Sequence, residues 1–406
     1  MTNIRTKVLS YMSKWLKRCQ VDLTPSKEKF MAIVSIVKCD DYEDAKVEIA
    51  VRQALFLVGG GQEVVKPGQK VLLKPNMLMA STPDNAATTH PSILKAMIKI
   101  VKERGAIPFV GDNPGNAYAN VDRALETTGF KKVVQEQKAL ILSLAKPVKR
   151  GDIYVASAIF DMDIIIDLPK LKTHNLTLFT GCIKNMFGII PGFHKGEMHC
   201  RYSYPSDFSS KLVEIFSIKK PLLGIMDAVY GMEGHGPSGG KPKKIGLILA
   251  SFDCVALDAV SSRIIGYDPF FVDTTRIAHQ RGLGEGNLSK IEIKGEKLQD
   301  ILIPDFKLVD NVYKILKNVP RFIHPPFRYL ASKLIWLHPE VIKDKCTGCK
   351  ICVLNCPVKA ISMKEKKARI DYRKCISCYC CHELCPEKAY QIKRSWLARK
   401  WAIGVQ

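Results

Sequence analysis

Residues 346–357 read CTGCKICVLNCP, and residues 375–386 read CISCYCCHELCP. Each stretch has the spacing C-x2-C-x2-C-x3-C-P, and the second copy begins 29 residues after the first. Three thiolates at this spacing can hold three corners of one iron–sulfur cubane, while the proline ends the turn and directs the fourth cysteine away. A zinc site instead uses two cysteine pairs separated by a longer loop, so the spacing favours iron–sulfur clusters over zinc.

This ligand pattern is typical of bacterial-type ferredoxins with two clusters, in which the fourth cysteine of each copy binds the other copy's cluster. The sequence therefore predicts two 4Fe-4S clusters, one bound by Cys346, Cys349, Cys352 and Cys385, and the other by Cys375, Cys378, Cys381 and Cys356. Residues 360–362 and 368–371 predict a hairpin of two short strands between the copies. We expect Cys380 to lie beside the second cluster without binding iron, because its neighbours already supply four ligands.

The whole chain has the composition of an ordinary globular protein. Its 406 residues suggest two or three domains, and 47% hydrophobic with 25% charged residues excludes a wholly disordered, collagen-like or coiled-coil chain. No apolar run approaches the roughly 18 residues that a transmembrane helix needs, and the N-terminus lacks a secretory signal pattern. We therefore expect a cytoplasmic protein whose 14 cysteines serve as metal or redox ligands rather than as a disulfide framework.

Upstream of the cysteine motifs, short β-branched segments alternate with helical patterns, which predicts an α/β domain with a mostly parallel sheet and helices on both faces. The predicted strands are 31–37, 70–74, 107–110, 140–144, 163–168, 222–227 and 245–250, and the predicted helices are 44–58, 92–104, 121–137 and 254–265. The predicted domains are a basic amphipathic helix in 1–30, the α/β domain 31–300, a helical linker 301–340, a small α+β ferredoxin domain 341–392 and a basic tail 393–406.

Polar residues follow the ends of five predicted strands. They are Lys74 and Asn76, Asp112 and Asn113, Lys170, Lys172 and His174, Asp227, and Asp253. The carboxyl ends of parallel strands meet at one sheet edge, so these residues predict one shared cleft. The alternative is that they only make turns, for which Gly, Asn and Asp are the usual residues.

The long segment 181–199 adds Lys184, His194, Lys195 and His199 near one of these strand ends. Such lysines and histidines suit a carboxylate or phosphate ligand. Our hypothesis assigns the catalytic residues as Lys170, Lys172 and Lys184, which would hold an anionic substrate, and His174, His194 or His199, which would supply a proton. Candidate cofactor-binding or orienting residues are Lys74, Asn76, Asp112, Asn113, Asp227 and Asp253. Whether the α/β domain also binds a flavin or a further metal is left open by the sequence.

Two nucleotide-binding motifs fail on their context. The stretch 234–239, GHGPSG, fits the pattern G-x-G-x-x-G, but Pro237 and Pro242 prevent the helix that must follow to bind a pyrophosphate. Lys241 follows a glycine but precedes Pro242, so a P-loop is absent from the sequence as well.

The formal net charge of +23 is unevenly distributed. Residues 31–300 carry only +5, whereas residues 341–406 carry +10 around the cysteine motifs. Part of that positive charge would offset the negative charge of thiolate-bound clusters. We therefore expect no nucleic-acid partner, and expect instead an electron donor or acceptor protein and a small anionic substrate.

Several stretches together resemble the domain-of-unknown-function family 362, in which such a domain is often fused to a two-cluster ferredoxin module. They are residues 73–76, 88–91, 111–115, 168–174, 181–188, 231–237, 253–258 and 378–386. The resemblance covers about 310 of the 406 residues and implies an iron–sulfur protein with a reductase domain, without naming a substrate.

The leading functional hypothesis is an oxidoreductase in which two clusters relay single electrons to an anionic substrate in the α/β cleft. The alternative is a non-enzymatic electron-transfer protein whose α/β domain docks a partner redox enzyme. The basic helix in 1–30 either packs on its own protein or lies on an anionic membrane surface.

Overall fold

The computed structural model describes residues 32–60, 65–115, 120–202, 204–309 and 336–396. The predicted helix in residues 1–30 lies outside these ranges, as do most of the predicted linker at 301–340 and the tail beyond residue 396. Within the described ranges, no helix is both long and apolar enough to cross a membrane.

Strands and helices alternate along the first 300 residues as the sequence predicts. The strands of this part are β1 Ala32–Lys38, β2 Lys70–Pro75, β3 Ile107–Val110, β4 Leu140–Ile141, β5 Pro147–Arg150, β6 Ile153–Ala156, β7 Ile164–Leu168, β8 Lys170–His174, β9 Leu178–Thr180, β10 Leu223–Glu233, β11 Lys241–Ser251 and β12 Ile291–Gly295. The helices are α1 Asp44–Leu57, α2 Pro91–Glu103, α3 Val121–Thr127, α4 Phe130–Glu136, α5 Cys182–Asn185, α6 Gly192–Arg201, α7 Pro205–Ile218, α8 Cys254–Ile264 and α9 Asp273–Gln280. The helix predicted over 121–137 is two helices, because Gly129 between them has a positive φ of 78°.

Ten strands form the main sheet, in the order β12-β1-β11-β10-β7-β2-β3-β4, with β8 paired to β10 and β9 paired to β8. The neighbours along this order pair in parallel except at β11, which runs antiparallel to both β10 and β1. The connection from β10 to β11 spans only residues 234–240, which is too short for the crossover that a parallel pair requires. The predicted α/β fold with a mostly parallel sheet is confirmed; its reversed strands are β11 and the short β9, which pairs antiparallel with β8.

Helices cover both faces of the sheet, as predicted. In β2, Leu72 belongs to the apolar cluster under α7 and α8, while Val71 and Leu73 belong to the cluster under α1 and α2. This alternation follows from the two-residue period of a strand, and it explains why β2 is apolar on consecutive residues.

The C-terminal domain consists of two small sheets and two short helices. Its elements are β13 Leu337–Val341, α10 Ile351–Leu354, β14 Ile361–Lys364, β15 Lys367–Ile370, α11 Cys380–Leu384 and β16 Tyr390–Arg394. The predicted hairpin is present as β14 and β15. Strand β13 pairs with β16, so the domain begins before residue 341 and takes in the end of the predicted linker.

Helix α11 contacts the α/β domain. The Ser238 hydroxyl, in the β10–β11 connection, donates a hydrogen bond of 2.8 Å to the backbone carbonyl of Glu383 in α11. A Cβ placed on Gly239 would come within 2.6 Å of the His382 ring, so the two backbones approach closely at this glycine. The same helix carries Cys381, and the contact therefore brings one cysteine motif next to the large sheet.

Candidate functional site

The eight motif cysteines line two separate cavities in the C-terminal domain. One is lined by Cys346, Cys349, Cys352 and Cys385, which we name the outer set. The other is lined by Cys356, Cys375, Cys378 and Cys381, the inner set, together with Cys380. Each cavity thus combines three cysteines of one motif with the fourth cysteine of the other, which is the exchange that the spacing predicts.

Backbone groups already point at the sulfur atom that crosses over in each set. The amide of Ala360 donates to Cys356 Sγ at 3.1 Å, and the amide of Ala389 donates to Cys385 Sγ at 3.3 Å. A hydrogen bond from the Cys380 thiol, the largest cause, lowers the pKa of Cys378. These donors stabilise thiolates, so the residues present fit two cubane clusters.

A third cavity lies between α11 and the carboxyl ends of the parallel strands. Seven of the predicted site residues line it: Asn76, Asp112, Asn113, Lys172, His174, Lys184 and His199. Asn76 follows β2, Asp112 follows β3, and Lys172 with His174 lies on β8, so the shared sheet edge brings them together. The cavity measures about 50 Å³, enough for a few water molecules or one small polar group.

Three lysines of this cavity make no ion pair with any described residue. Lys172 donates to Asn76 Oδ1 at 3.1 Å, and Lys195 donates to the carbonyls of Asn113 and Pro114 at 2.6 and 2.9 Å. Burial is the main cause that lowers the pKa of Lys172 and of Lys184, and it lowers that of Lys195 to about 7. Buried ammonium groups that are satisfied only by neutral oxygens favour an anionic ligand.

Lys184 differs from the other two in that its ammonium group makes no hydrogen bond to another described residue and contacts aromatic rings instead. Its ammonium nitrogen lies 4.6 Å from the centre of the Phe187 ring and 5.8 Å from that of Phe208. These aromatic faces stabilise the cation while leaving its N–H groups free to bind a ligand.

A fourth lysine, Lys74, is fully buried behind the cavity wall and pairs with Asp112 at 2.8 Å. The other oxygen of Asp112 accepts the amide of Met77 at 2.7 Å. Gly188 packs against this pair so closely that a Cβ there would overlap Asp112 Oδ1 and lie 2.6 Å from Lys74 Nζ. Lys74 and Asp112 therefore act as a preformed pair that shapes the cavity.

His174 is held in one tautomer. Its Nδ1 accepts backbone N–H groups from Leu176 at 3.0 Å and Thr177 at 3.2 Å, so the ring proton lies on Nε2. Nε2 is buried, has no hydrogen-bond partner and lies 3.4 Å from Glu383 Oε1. Burial, followed by nearby Lys184, lowers the pKa of His174 well below its usual range. His174 is therefore a neutral hydrogen-bond donor toward the cavity.

Sequence reasoning missed Glu383, the one residue lining this cavity that comes from the C-terminal domain, and it grouped Lys195 with the side chains suited to an anion without assigning it a catalytic role. Burial raises the pKa of Glu383 to about 7. Its place between Cys381 and Cys385 puts it on the ligand-bearing helix, but no sequence pattern tells which surface that helix faces.

His199 and His194 differ in their surroundings. His199 lines the cavity, stacks on Phe208 with ring centres 4.4 Å apart, and burial lowers its pKa to about 3. His194 instead stacks on Tyr154 at 4.2 Å and lies 3.3 Å from Glu197 near the surface. The structure does not bring His194 into the cavity.

Lys170 and Asp227 form a separate buried network. Lys170 pairs with Asp227 at 3.0 Å and donates to the Tyr42 hydroxyl at 2.6 Å, and that hydroxyl donates to Asp227 at 2.8 Å. The amide of His90 donates to Asp227 Oδ2, which also accepts from Lys170, and the His90 ring stacks on Tyr42. Because each charge has its partner inside the protein, this network stabilises the strand ends beside the cavity.

Asp253 lies away from the cavity, and the reversed direction of β11 is the reason. The carboxyl end of β11 is at the opposite sheet edge, where Asp253 caps α8 by accepting the amides of Val255 and Ala256. The expectation that five strand ends share one cleft therefore needs correction at this strand.

In the part of the chain that the structure describes, no group of three His, Cys, Asp or Glu side chains is placed to hold a single metal ion.

Two family models match the chain in succession. Residues 71–263 match the domain of unknown function DUF362, and residues 345–389 match a 4Fe-4S dicluster domain. The two matches follow one another along the chain and do not overlap. The two matches confirm the resemblance inferred from the sequence. The 4Fe-4S dicluster match supports an iron–sulfur electron-transfer protein.

Among curated proteins, the chain is similar to the thylakoid-associated protein sll1697 of Synechocystis sp.. The two are 29% identical over 314 residues, which cover 74% of this chain and 95% of that protein. Among solved structures, the lactate racemase apoprotein from Thermoanaerobacterium thermosaccharolyticum has 12% identity and a TM-score of 0.37, over 60% of this chain and 59% of that one.

Proposed function

We propose that the C-terminal domain binds two 4Fe-4S clusters and that the protein passes their electrons to a small anionic substrate in the cavity between the domains. The observation that carries this proposal is the double role of α11. This helix contains Cys381 of the inner set and Glu383 of the cavity lining, so a cluster there would lie next to the bound substrate.

The cavity lining supports an anionic substrate. Lys172, Lys184 and Lys195 supply amine groups, which a bound anion would keep protonated, and His174 supplies the Nε2–H donor. These groups suit the oxygens of a carboxylate, and the volume of about 50 Å³ limits the bound part to a group of that size.

The roles of the histidines need revision within this proposal. His174 and His199 are neutral at physiological pH, so neither has an acidic proton to donate. Lys195 is the better proton donor, because burial brings its pKa to about 7 while its ammonium stays bound to two carbonyls. When bound, the clusters would supply electrons one at a time, so reduction of a C=O or C=C bond would take two successive electron transfers and two protons.

The test begins with iron and acid-labile sulfide per chain after anaerobic purification, together with EPR of the dithionite-reduced protein. The proposal expects about eight irons and two interacting 4Fe-4S signals. Addition of malonate, a small dicarboxylate probe, should change the EPR signal of the wild type but not that of Lys184→Gln. Four or fewer irons after reconstitution would remove the two-cluster path.

We further propose that the protein works at a membrane surface. The similar protein from Synechocystis is named as thylakoid-associated, and residues 1–30 of this chain carry a net charge of +5. Flotation with anionic vesicles should recover the full chain at low salt, and removal of residues 1–30 should abolish recovery. Equal recovery of both forms would contradict a role for this segment.

A further inference from the structure

The inner and outer cysteine sets differ in what surrounds them. In the inner set, Cys381 is buried, and the same helix α11 places Glu383 in the lining of the cavity between the domains. In the outer set, Cys349 is exposed to solvent. An electron path through the two sets would therefore run from an open end at Cys349 to a closed end at the cavity.

Basic residues surround the open end. Five exposed lysines occupy the loop that carries Cys349, the turn between β14 and β15, and the segment after Cys385: Lys343, Lys345, Lys350, Lys366 and Lys388. None of them forms an ion pair with a described residue. The exposed carboxylates of the same segments are fewer, namely Asp344, Glu365 and Glu387.

An apolar side chain completes this surface. Leu354, at the end of α10, is 59% exposed, although leucines are usually buried. Its amide donates a hydrogen bond of 3.0 Å to the Lys350 carbonyl, so Leu354 lies one helical turn from Lys350. In a protein interface an apolar contact is usually surrounded by a polar rim, so Leu354 among these lysines is compatible with docking, which the lysines themselves direct.

We propose that the surface formed by Lys345, Cys349, Lys350, Leu354 and Lys366 is the docking site of an acidic, single-electron carrier protein. This proposal rests on the proposed function, because it assigns the outer cluster as the point where electrons enter. The lysines would steer the acidic carrier to the surface, and the contact with Leu354 would hold its redox centre close to Cys349.

A negatively charged membrane would also be attracted by these lysines. The carrier protein is favoured because the basic loop itself carries the exposed cluster ligand Cys349, and the Lys366 backbone packs against Gly348 of that loop. Contact with a redox centre is useful at such a ligand, and contact with lipid is not.

The test measures binding, not turnover, with the full-length, cluster-loaded protein in its oxidised state. The probe is an acidic plant-type ferredoxin, and its dissociation constant is determined by calorimetry at several salt concentrations. The triple variant Lys345→Glu, Lys350→Glu and Lys366→Glu should bind at least about tenfold more weakly and with a smaller salt dependence. A control triple variant, Lys132→Glu, Lys138→Glu and Lys149→Glu, reverses three exposed lysines of the α/β domain and should bind within about twofold of wild type.

Iron content must be the same in all three proteins for the comparison to hold, and Leu354→Ala offers a second variant without a charge change. Equal weakening by both triple variants, or no weakening by either, would overturn the proposal. Loss of anionic vesicle binding with unchanged ferredoxin affinity would assign the surface to a membrane instead. Docking that persists while no anion reoxidises the clusters would contradict the proposed function alone.

Discussion

At the scale of single residues, the main feature of the cavity is that its lysines are buried without a carboxylate partner. Lys195 is the clearest case, since its ammonium has two carbonyl partners and no carboxylate. Because burial lowers its pKa to about 7, the charge is present below pH 7 and is lost as the pH rises above it. The groups that face it are Lys74, Asp112 and Lys184, while Glu383 lines the same cavity.

We predict that malonate binds more tightly at pH 6 than at pH 8. The protonated form of Lys195 attracts the anion, and this form is lost as the pH rises above 7. Glu383 becomes negatively charged over the same pH range and repels the anion, so both groups weaken binding at high pH. Lys195→Gln should bind malonate about tenfold more weakly at pH 6, with a shallower pH dependence, because one charge-assisted hydrogen bond is lost. Calorimetry at both pH values checks this, and an unchanged pH profile in the variant would exclude Lys195.

Cys380 and Cys381 provide a second prediction at this scale. Both are buried beside the inner cavity, but only Cys381 belongs to the repeated spacing. Cys380→Ala should keep about eight irons per chain, whereas Cys381→Ala should keep about four. Iron and sulfide analysis distinguishes them, and loss of iron from Cys380→Ala would show that the ligand set is wrong.

At the scale of secondary-structure elements, the direction of one strand decides which residues can meet. The strands that begin near residues 31, 70, 107 and 163 can be predicted from the sequence. Their apolar runs, and the helical periodicity of the segments between them, are local patterns. The direction of β11 depends on the length of the β10–β11 connection, which the sequence obscures because both strands extend into polar residues beyond their apolar cores. Asp253 was therefore expected on the wrong edge of the sheet.

The observed position of Asp253 gives a prediction of its own. Asp253→Ala should lower the free energy of unfolding by about 1–2 kcal/mol, because α8 loses its N-terminal cap, and should leave malonate affinity unchanged. Asp300→Ala, at an exposed carboxylate, serves as the control for urea unfolding. A loss of malonate affinity in Asp253→Ala would return this residue to the site.

Gly188 tests how the segment after α5 shapes the cavity. Gly188→Ala should displace the Lys74–Asp112 pair, destabilise the protein by about 1–3 kcal/mol and abolish malonate binding, while iron content is unchanged. Gly196→Ala is the matched control, because a Cβ there meets no atom within 4 Å and alanine favours helix α6. Normal malonate binding by Gly188→Ala would mean that the pair does not shape the site.

At the scale of the whole molecule, the cavity depends on contact between two domains. Separate sequence patterns predict each domain, but none of them predicts the contact. The cysteine spacing predicts both ligand sets, since each set follows from residues within 40 positions of one another. The shared sheet edge predicts that Lys172 and His174 line the cavity. The contribution of Glu383 depends on how α11 docks against the β10–β11 connection, a long-range contact that no local pattern encodes.

The most direct test of electron delivery is a reoxidation experiment under anaerobic conditions. Dithionite-reduced, desalted protein is mixed with small carboxylates that carry a reducible C=O or C=C bond, and cluster absorbance is followed in time. We predict that at least one of these anions reoxidises the wild-type protein and Lys132→Gln at the same rate, and Lys184→Gln at least about tenfold more slowly. Reoxidation at equal rates in all three proteins, or by none of the anions, would contradict electron transfer to an anion in the cavity.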